Sequence, residues 1–358
     1  MAGAKDNNKD YIWGKRKNTK MIILIVTGVV VIAGALGYVI FGMDWQDDIN
    51  NLVNTNRPPK ENLVRRALDG VYVPADQSNY YPLAVMIENF VSSRPPSSLS
   101  RAGVVYEALA EGGITRFMAI YTCQSASLPE IGPVRSARPY YIDWLLEYNA
   151  LYAHMGGSPQ ALTDISQNHV LDVNQGQYYW RDETRNLPTE HTLYTSGEKL
   201  AFALRDKKIE GQGDYRLWKF KDDAAVSDRP TEEKNITIEF SSFNYNVEYK
   251  YNSKNNNYLR YQAGEVHKDR DGAEIAAKDV VVQKVKTSLI DAQRLSMVTV
   301  GEGEAIIFRD GRAVVGTWKK ESKTGRTVFY DGSNNEIAFN AGPIWIEVVP
   351  TDRNVQYN

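Results

Sequence analysis

The sequence predicts one transmembrane helix, then an α/β ectodomain with a mixed sheet, then a mostly antiparallel β C-terminal domain. Three observations predict it. Residues 21–43, MIILIVTGVVVIAGALGYVIFGM, carry no charge. Between about residues 81 and 230, apolar strand-like runs alternate with helix signals, the texture of an α/β layer structure. From 235 to 350 short alternating runs are separated by Asp271-Gly272, Asp310-Gly311 and Asp331-Gly332, which are strong hairpin signals.

A bilayer core takes about 20 apolar residues as helix. The preceding segment, residues 1–20, holds Lys5, Lys9, Lys15, Arg16, Lys17 and Lys20, while Asp44, Asp47 and Asp48 follow the span. Excess Lys/Arg marks the cytoplasmic side, so residues 44–358 are expected outside a bacterial cell membrane, held by a single span. A cleaved signal peptide would have a shorter apolar region and a small-x-small site, which Phe41-Gly-Met-Asp-Trp45 does not supply. With six basic and two acidic side chains, residues 1–20 are +4, which leaves −6 for the rest of a chain of net charge −2. A mildly acidic ectodomain argues against nucleic acid as a partner. The single cysteine, Cys123, allows no disulfide within the chain and reads as an inert residue of a strand.

Residues 44–80, with Pro58-Pro59, read as an extended tether, and Leu63 to Gly70 as a short helix or an entry to the fold. Pro82 to Asn89 reads as a buried strand ending in two polar residues. Ser100 is a candidate cap for a helix leading into Val104–Leu109. Thr115–Thr122 reads as a strand, Ala137–Tyr148 as a helix with Tyr141, Leu145 and Tyr148 a turn apart, and Ala150–His154 as a short strand. Ser158 and Pro159 are an N-cap and first-turn pair.

The chemistry-bearing residues cluster at the ends of these elements. Arg116, Arg135, Arg138, Arg181 and Arg185 carry planar donors that match two oxygens of a phosphate or carboxylate. Gly156, Gly157 and Ser158 allow close backbone approach to a ligand. Glu111, His154 and His191 are the candidate general acids or bases at neutral pH. The competing reading pairs the arginines with Glu107, Glu111, Asp143 or Asp182 as internal salt bridges, and makes the histidines structural. His169 and His267 read as surface or turn residues. No metal-ligand spacing, P-loop or nucleophile elbow is present, so the sequence assigns no cofactor and leaves open whether the chain is catalytic.

Four motifs resemble the YerB-like bacterial family, a domain of unknown function: Glu111-Gly-Gly-Ile-Thr-Arg-Phe117, Gly132-Pro-Val-Arg-Ser-Ala-Arg-Pro139, His154-x-Gly-Gly-Ser-Pro-Gln-Ala161 and His191-x-Leu-Tyr-Thr-Ser196. Three more lie further on: Tyr258-x-Arg-x-Gln-x-Gly264-x-x-His267, Gly311-Arg-Ala-Val-Val-Gly-Thr-Trp318 and Gly342-Pro-Ile-Trp345. The resemblance spans about Pro82 to Pro350 and implies an envelope location. The chain departs from the family by lacking a lipid-anchor cysteine and by holding Thr192 where asparagine is expected. A fainter similarity of order, strand-Thr-Arg then Pro-x-Arg then a strand with Gly-Gly, is to the LytR-CpsA-Psr phosphotransferases. It implies that Arg116, Arg135 and Arg138 clamp a pyrophosphate, with Arg181 or Arg185 completing the shell; Pro139 departs from that pattern. Together these imply an anionic glycan or lipid-linked ligand, with transfer or hydrolysis as the chemistry; the alternative is a non-catalytic binding or assembly module.

Overall fold

Tyr106 and Glu107, adjacent in sequence, face opposite sides of the largest sheet, because successive strand side chains alternate. Tyr106 stacks on Trp144 of the Pro139–Leu145 helix at 5.4 Å between ring centroids. Glu107 ion-pairs with Arg260 of a second sheet. Three layers follow: helix, large sheet, small sheet. The computed structural model describes residues 63–122 and 128–358, and residues 63–358 form one unit. The basic tail (1–20), the apolar span (21–43), most of the expected tether and Cys123 lie outside the described residues. Among the described residues no helix is long and apolar enough to cross a membrane.

The large sheet is mixed and has ten strands. In spatial order they are Val328–Asp331, Arg312–Lys320, Gly301–Arg309, Asp279–Val285, Ile344–Pro350, Val104–Leu109, Thr115–Thr122, Pro82–Glu88, Leu151–Ala153 and Asp172–Val173. The small sheet has six strands, Asn235–Glu239, Asn246–Asn252, Asn257–Gln262, Glu265–Val266, Ala276–Ala277 and Val355–Tyr357, and is antiparallel throughout.

The structure corrects several expectations. The change of texture near residue 230 does not separate two sheets. Ile344–Pro350 pairs in parallel with Asp279–Val285 on one side and Val104–Leu109 on the other, so C-terminal strands extend the N-terminal sheet. All seven residues of Ile344–Pro350 are buried, which is what a central strand covered on both faces requires. Val104–Leu109 is a strand preceded by a 3₁₀ turn at Leu99–Arg101, not the end of a helix capped by Ser100. The tether ends by Leu63: Leu63–Arg65 pairs with Tyr72–Pro74, and Leu68 is fully buried.

Other readings match. The helix expected over Ala137–Tyr148 is present but shorter, Pro139–Leu145, and Ser158 caps the next, accepting from the Ala161 N–H at 3.3 Å with Pro159 at its first position. Asp310 (φ 51°) and Gly311 (φ 72°) make the two-residue hairpin between Gly301–Arg309 and Arg312–Lys320, a primed turn suited to strand twist.

Candidate functional site

The site is built around residues 131–138, which hydrogen-bond to several other segments, Ser97 among them. Arg135 N–H donates to Met86 O (2.9 Å), and Glu88 N–H to Pro133 O (2.8 Å), docking the segment on the end of the Pro82–Glu88 strand. Val134 N–H donates to Leu193 O (2.7 Å), joining the loop that carries His191. Ala137 N–H donates to Gly156 O (3.0 Å) and Met155 N–H to Arg135 O (3.1 Å), joining the glycine pair. Gly156 has φ +66°, a conformation that L side chains rarely adopt. Gly157 lies against Ala137 and Leu162, where an added Cβ would meet a leucine carbon at 3.0 Å. The structure therefore brings the four N-terminal motifs to one rim.

Two charge clusters occupy that rim. In the first, Glu111 takes both Nε and Nη2 of Arg138 and lies 3.7 Å from Arg116 Nη2. Arg116 is buried and donates to Ser136 O at 2.7 Å. Burial alone would raise the Glu111 pKa, but the Arg138 hydrogen bonds and the two guanidinium charges pull it below the ordinary carboxylate range. Burial, then the neighbouring Arg138 charge, lowers Arg116. In the second cluster, buried Glu88 pairs with Arg135 Nε and lies 3.3 Å from His191 Nδ1. His191 stacks on Phe90, with ring centroids 5.0 Å apart and planes within 4°. The clusters abut, because Glu88 and Arg116 are direct partners on antiparallel strands.

The remaining expected residues lie nearby in other roles. His154 is fully buried, its Nδ1 on Gly156 O (2.8 Å) and its Nε2 on Asp172 Oδ2 (3.1 Å). Arg181 donates to Thr189 O, and Arg185 to Tyr194 Oη and Arg94 O. Glu111, His154 and His191 each have a different partner and form no triad. Sequence reasoning missed Glu88 and Asp172. The signal for Glu88 was available: a six-residue apolar strand closing on a carboxylate.

A model of the family described as "Protein of unknown function (DUF3048) N-terminal domain" matches residues 68–210, and its C-terminal counterpart matches residues 236–346. The chain belongs to the DUF3048 family. It is 30% identical over 305 residues to "Putative lipoprotein YerB" of Bacillus subtilis (strain 168), covering 82% of this chain and 88% of that protein. It also resembles the crystal structure of the Bacillus subtilis YerB protein, at TM-score 0.72 and 28% identity, over 82% of this chain and 99% of that one.

The rim, from Glu88 to His191, lies wholly within the DUF3048 N-terminal domain. The C-terminal domain supplies a different cluster. Arg260, Gln262 and His267, three residues of the motif that begins at Tyr258, are all buried. Arg260 Nη2 pairs with Glu107, and Nη1 meets His267 Nδ1. The guanidinium lies 4.6 Å from the Trp345 ring centroid. His267 is thus a core residue, contrary to its reading as a turn. Burial, then the Arg260 charge, pushes its pKa down.

Proposed function

We propose that this chain is a membrane-anchored, extracytoplasmic cell-envelope protein that acts as a non-catalytic binding or assembly module. One observation carries the non-catalytic part: Arg116, Arg135 and Arg138 are all engaged by Glu111 or Glu88. A phosphate entering the rim would have to displace a carboxylate held by two donors of one guanidinium, the strongest geometry such a pair has. Neither histidine is placed beside a hydroxyl or thiol nucleophile by the polar contacts it makes. The location rests on the uncharged span at residues 21–43, its basic flank, and a relative whose name calls it a lipoprotein.

A second reading keeps an anionic glycan or lipid-linked ligand. Its support is that Arg135 remains 27% exposed and that Arg181, also exposed, flanks the same Thr189–His191 turn. On that reading Arg135, Arg181 and Arg185 take the anion while the Glu111–Arg138 pair stays closed.

Two measurements test the proposal. Fractionation with external protease should recover the full chain in the membrane fraction, with residues after 44 accessible from outside. Purified full-length protein in detergent should show no rise in melting temperature with pyrophosphate. A saturable rise that is lost in Arg135→Ala would replace the module reading with the anion site, and a soluble or protease-shielded chain would overturn the location.

A further inference from the structure

A cavity of about 550 Å³ is lined by residues from 146–168, 214–216 and 319–330, apart from the residues of the rim. Small-molecule sites commonly fall between about 300 and 1,000 Å³. Its base is Glu147 and Arg326, both buried. Glu147 accepts from Lys320 Nζ (2.9 Å), Thr327 Oγ1 (2.6 Å) and Thr327 N–H (3.0 Å). The Arg326 guanidinium is sandwiched between the rings of Tyr148 (3.9 Å) and Trp218 (3.7 Å). These contacts fix the base before any ligand arrives.

The walls differ from the base in that three of their side chains have no partner among the described residues. Asp214 and Glu321 line the cavity, are exposed, and have no hydrogen-bond or ion-pair partner among the described residues. The same holds for the side-chain amide of Asn149, whose backbone is held at φ +47°. Carboxylates only accept, so their complement must donate. Arg216 and Lys319 only donate; each makes one contact to a carboxylate outside the cavity, Glu336 and Glu302 at 3.5 Å, and their remaining donors call for an acceptor. Half-buried Tyr330 adds flat apolar surface with a polar tip, and half-buried Tyr215 adds apolar surface alone, its hydroxyl being buried. Three cations (Arg216, Lys319, Arg326) face three anions (Glu147, Asp214, Glu321), so the lining does not select a polyanion.

We infer that this cavity is a saccharide site for an uncharged, hydroxyl- and acetamido-bearing glycan. Neighbouring hydroxyls on one ring both donate and accept, so they complement the carboxylates and the cations of this lining alike. An acetamido group matches Asn149, and the carbon face of a sugar ring suits the tyrosines. The choice of glycan rests on the envelope location proposed above; the cavity itself does not.

The test is titration of the purified full-length chain in detergent with the β-1,4-linked tetramer of N-acetylglucosamine, followed by calorimetry. Saturable binding is expected, weakened about tenfold in Asp214→Ala and in Glu321→Ala, the effect of losing one charge-assisted hydrogen bond. Neither variant should melt differently, since neither side chain has a partner to lose, and Arg138→Ala at the rim should bind as the parent does. Absence of saturable binding, binding indifferent to both wall variants, or displacement of the tetramer by pyrophosphate would each overturn the assignment. Any of these leaves the location untouched, because fractionation reads it separately.

Discussion

Glu107 and Glu347 sit directly opposite each other on neighbouring parallel strands, both fully buried, and share Arg260. Two carboxyls beside one guanidinium cannot both be charged without leaving a negative charge uncompensated. Glu107 takes the direct Arg260 contact, with Thr115 Oγ1 at 2.5 Å. Burial first, then the Glu107 charge, pushes the Glu347 pKa well up, and Tyr249 Oη donates to its Oε1.

Glu347→Gln should therefore be tolerated at neutral pH, whereas Glu107→Gln should not. A carboxyl with a raised folded-state pKa binds more protons folded than unfolded. Its contribution to stability is full below the unfolded glutamate pKa and is lost as pH rises through the folded value. The stability of Glu347→Gln relative to the parent should thus improve as pH rises from 4 towards neutrality (about pH 4 being the ordinary glutamate range). Urea midpoints across that range check the sign; a flat difference would mean that Glu347 is not the titrating group.

Arg260→Met should destabilise by about 3–5 kcal/mol, the usual penalty for stranding a buried charge. A double variant, Arg260→Met with Glu107→Gln, should recover part of that loss, because it removes the stranded charge. Denaturation of the four proteins of this cycle measures the coupling directly.

At the rim, Arg138→Ala should cost about 1–2 kcal/mol, less than a fully buried pair because Glu111 keeps 26% side-chain exposure. The Glu111 pKa is lowered in the fold, so the stability it contributes is present above the unfolded glutamate value and fades as pH falls through the folded one. The gap between parent and variant should shrink on acidification, which thermal melts at a series of pH values would record.

Two local substitutions test the backbone reading. Ser158→Ala removes the N-cap and should cost about 1 kcal/mol. Gly316→Ala would place a Cβ 1.8 Å from the Tyr330 carbonyl oxygen, so the edge strand must shift; about 1–3 kcal/mol is expected, with loss of hydrogen-exchange protection confined first to residues 312–331.

Sequence periodicity located individual elements well and their neighbours poorly. Asn235–Glu239 alternates buried and half-buried along its length, as a one-faced strand should. Pro82–Glu88 is buried throughout and reads as an apolar run, whereas Ile344–Pro350, expected as one of the alternating strands, is buried throughout as well. Periodicity says which side of a strand is covered, not which strand lies beside it, so the parallel pairing of residues 344–348 with 104–108 was invisible. The rim was legible because glycine, proline and arginine cluster at element ends. The Arg260 network was half legible: Tyr258, Arg260 and Gln262 share one face of a strand, and burial of Tyr258 commits Arg260 to the interior.

The strand order also sets a timetable. Ile344–Pro350 fills the gap between Val104–Leu109 and Asp279–Val285, so those partners stay unjoined until residues 344–350 have been made. Early segments cannot close their core on emergence and wait with their apolar edges open, the state most exposed to aggregation and proteolysis. A chain cut short by its last fifteen residues would lose the middle of its main sheet rather than its end.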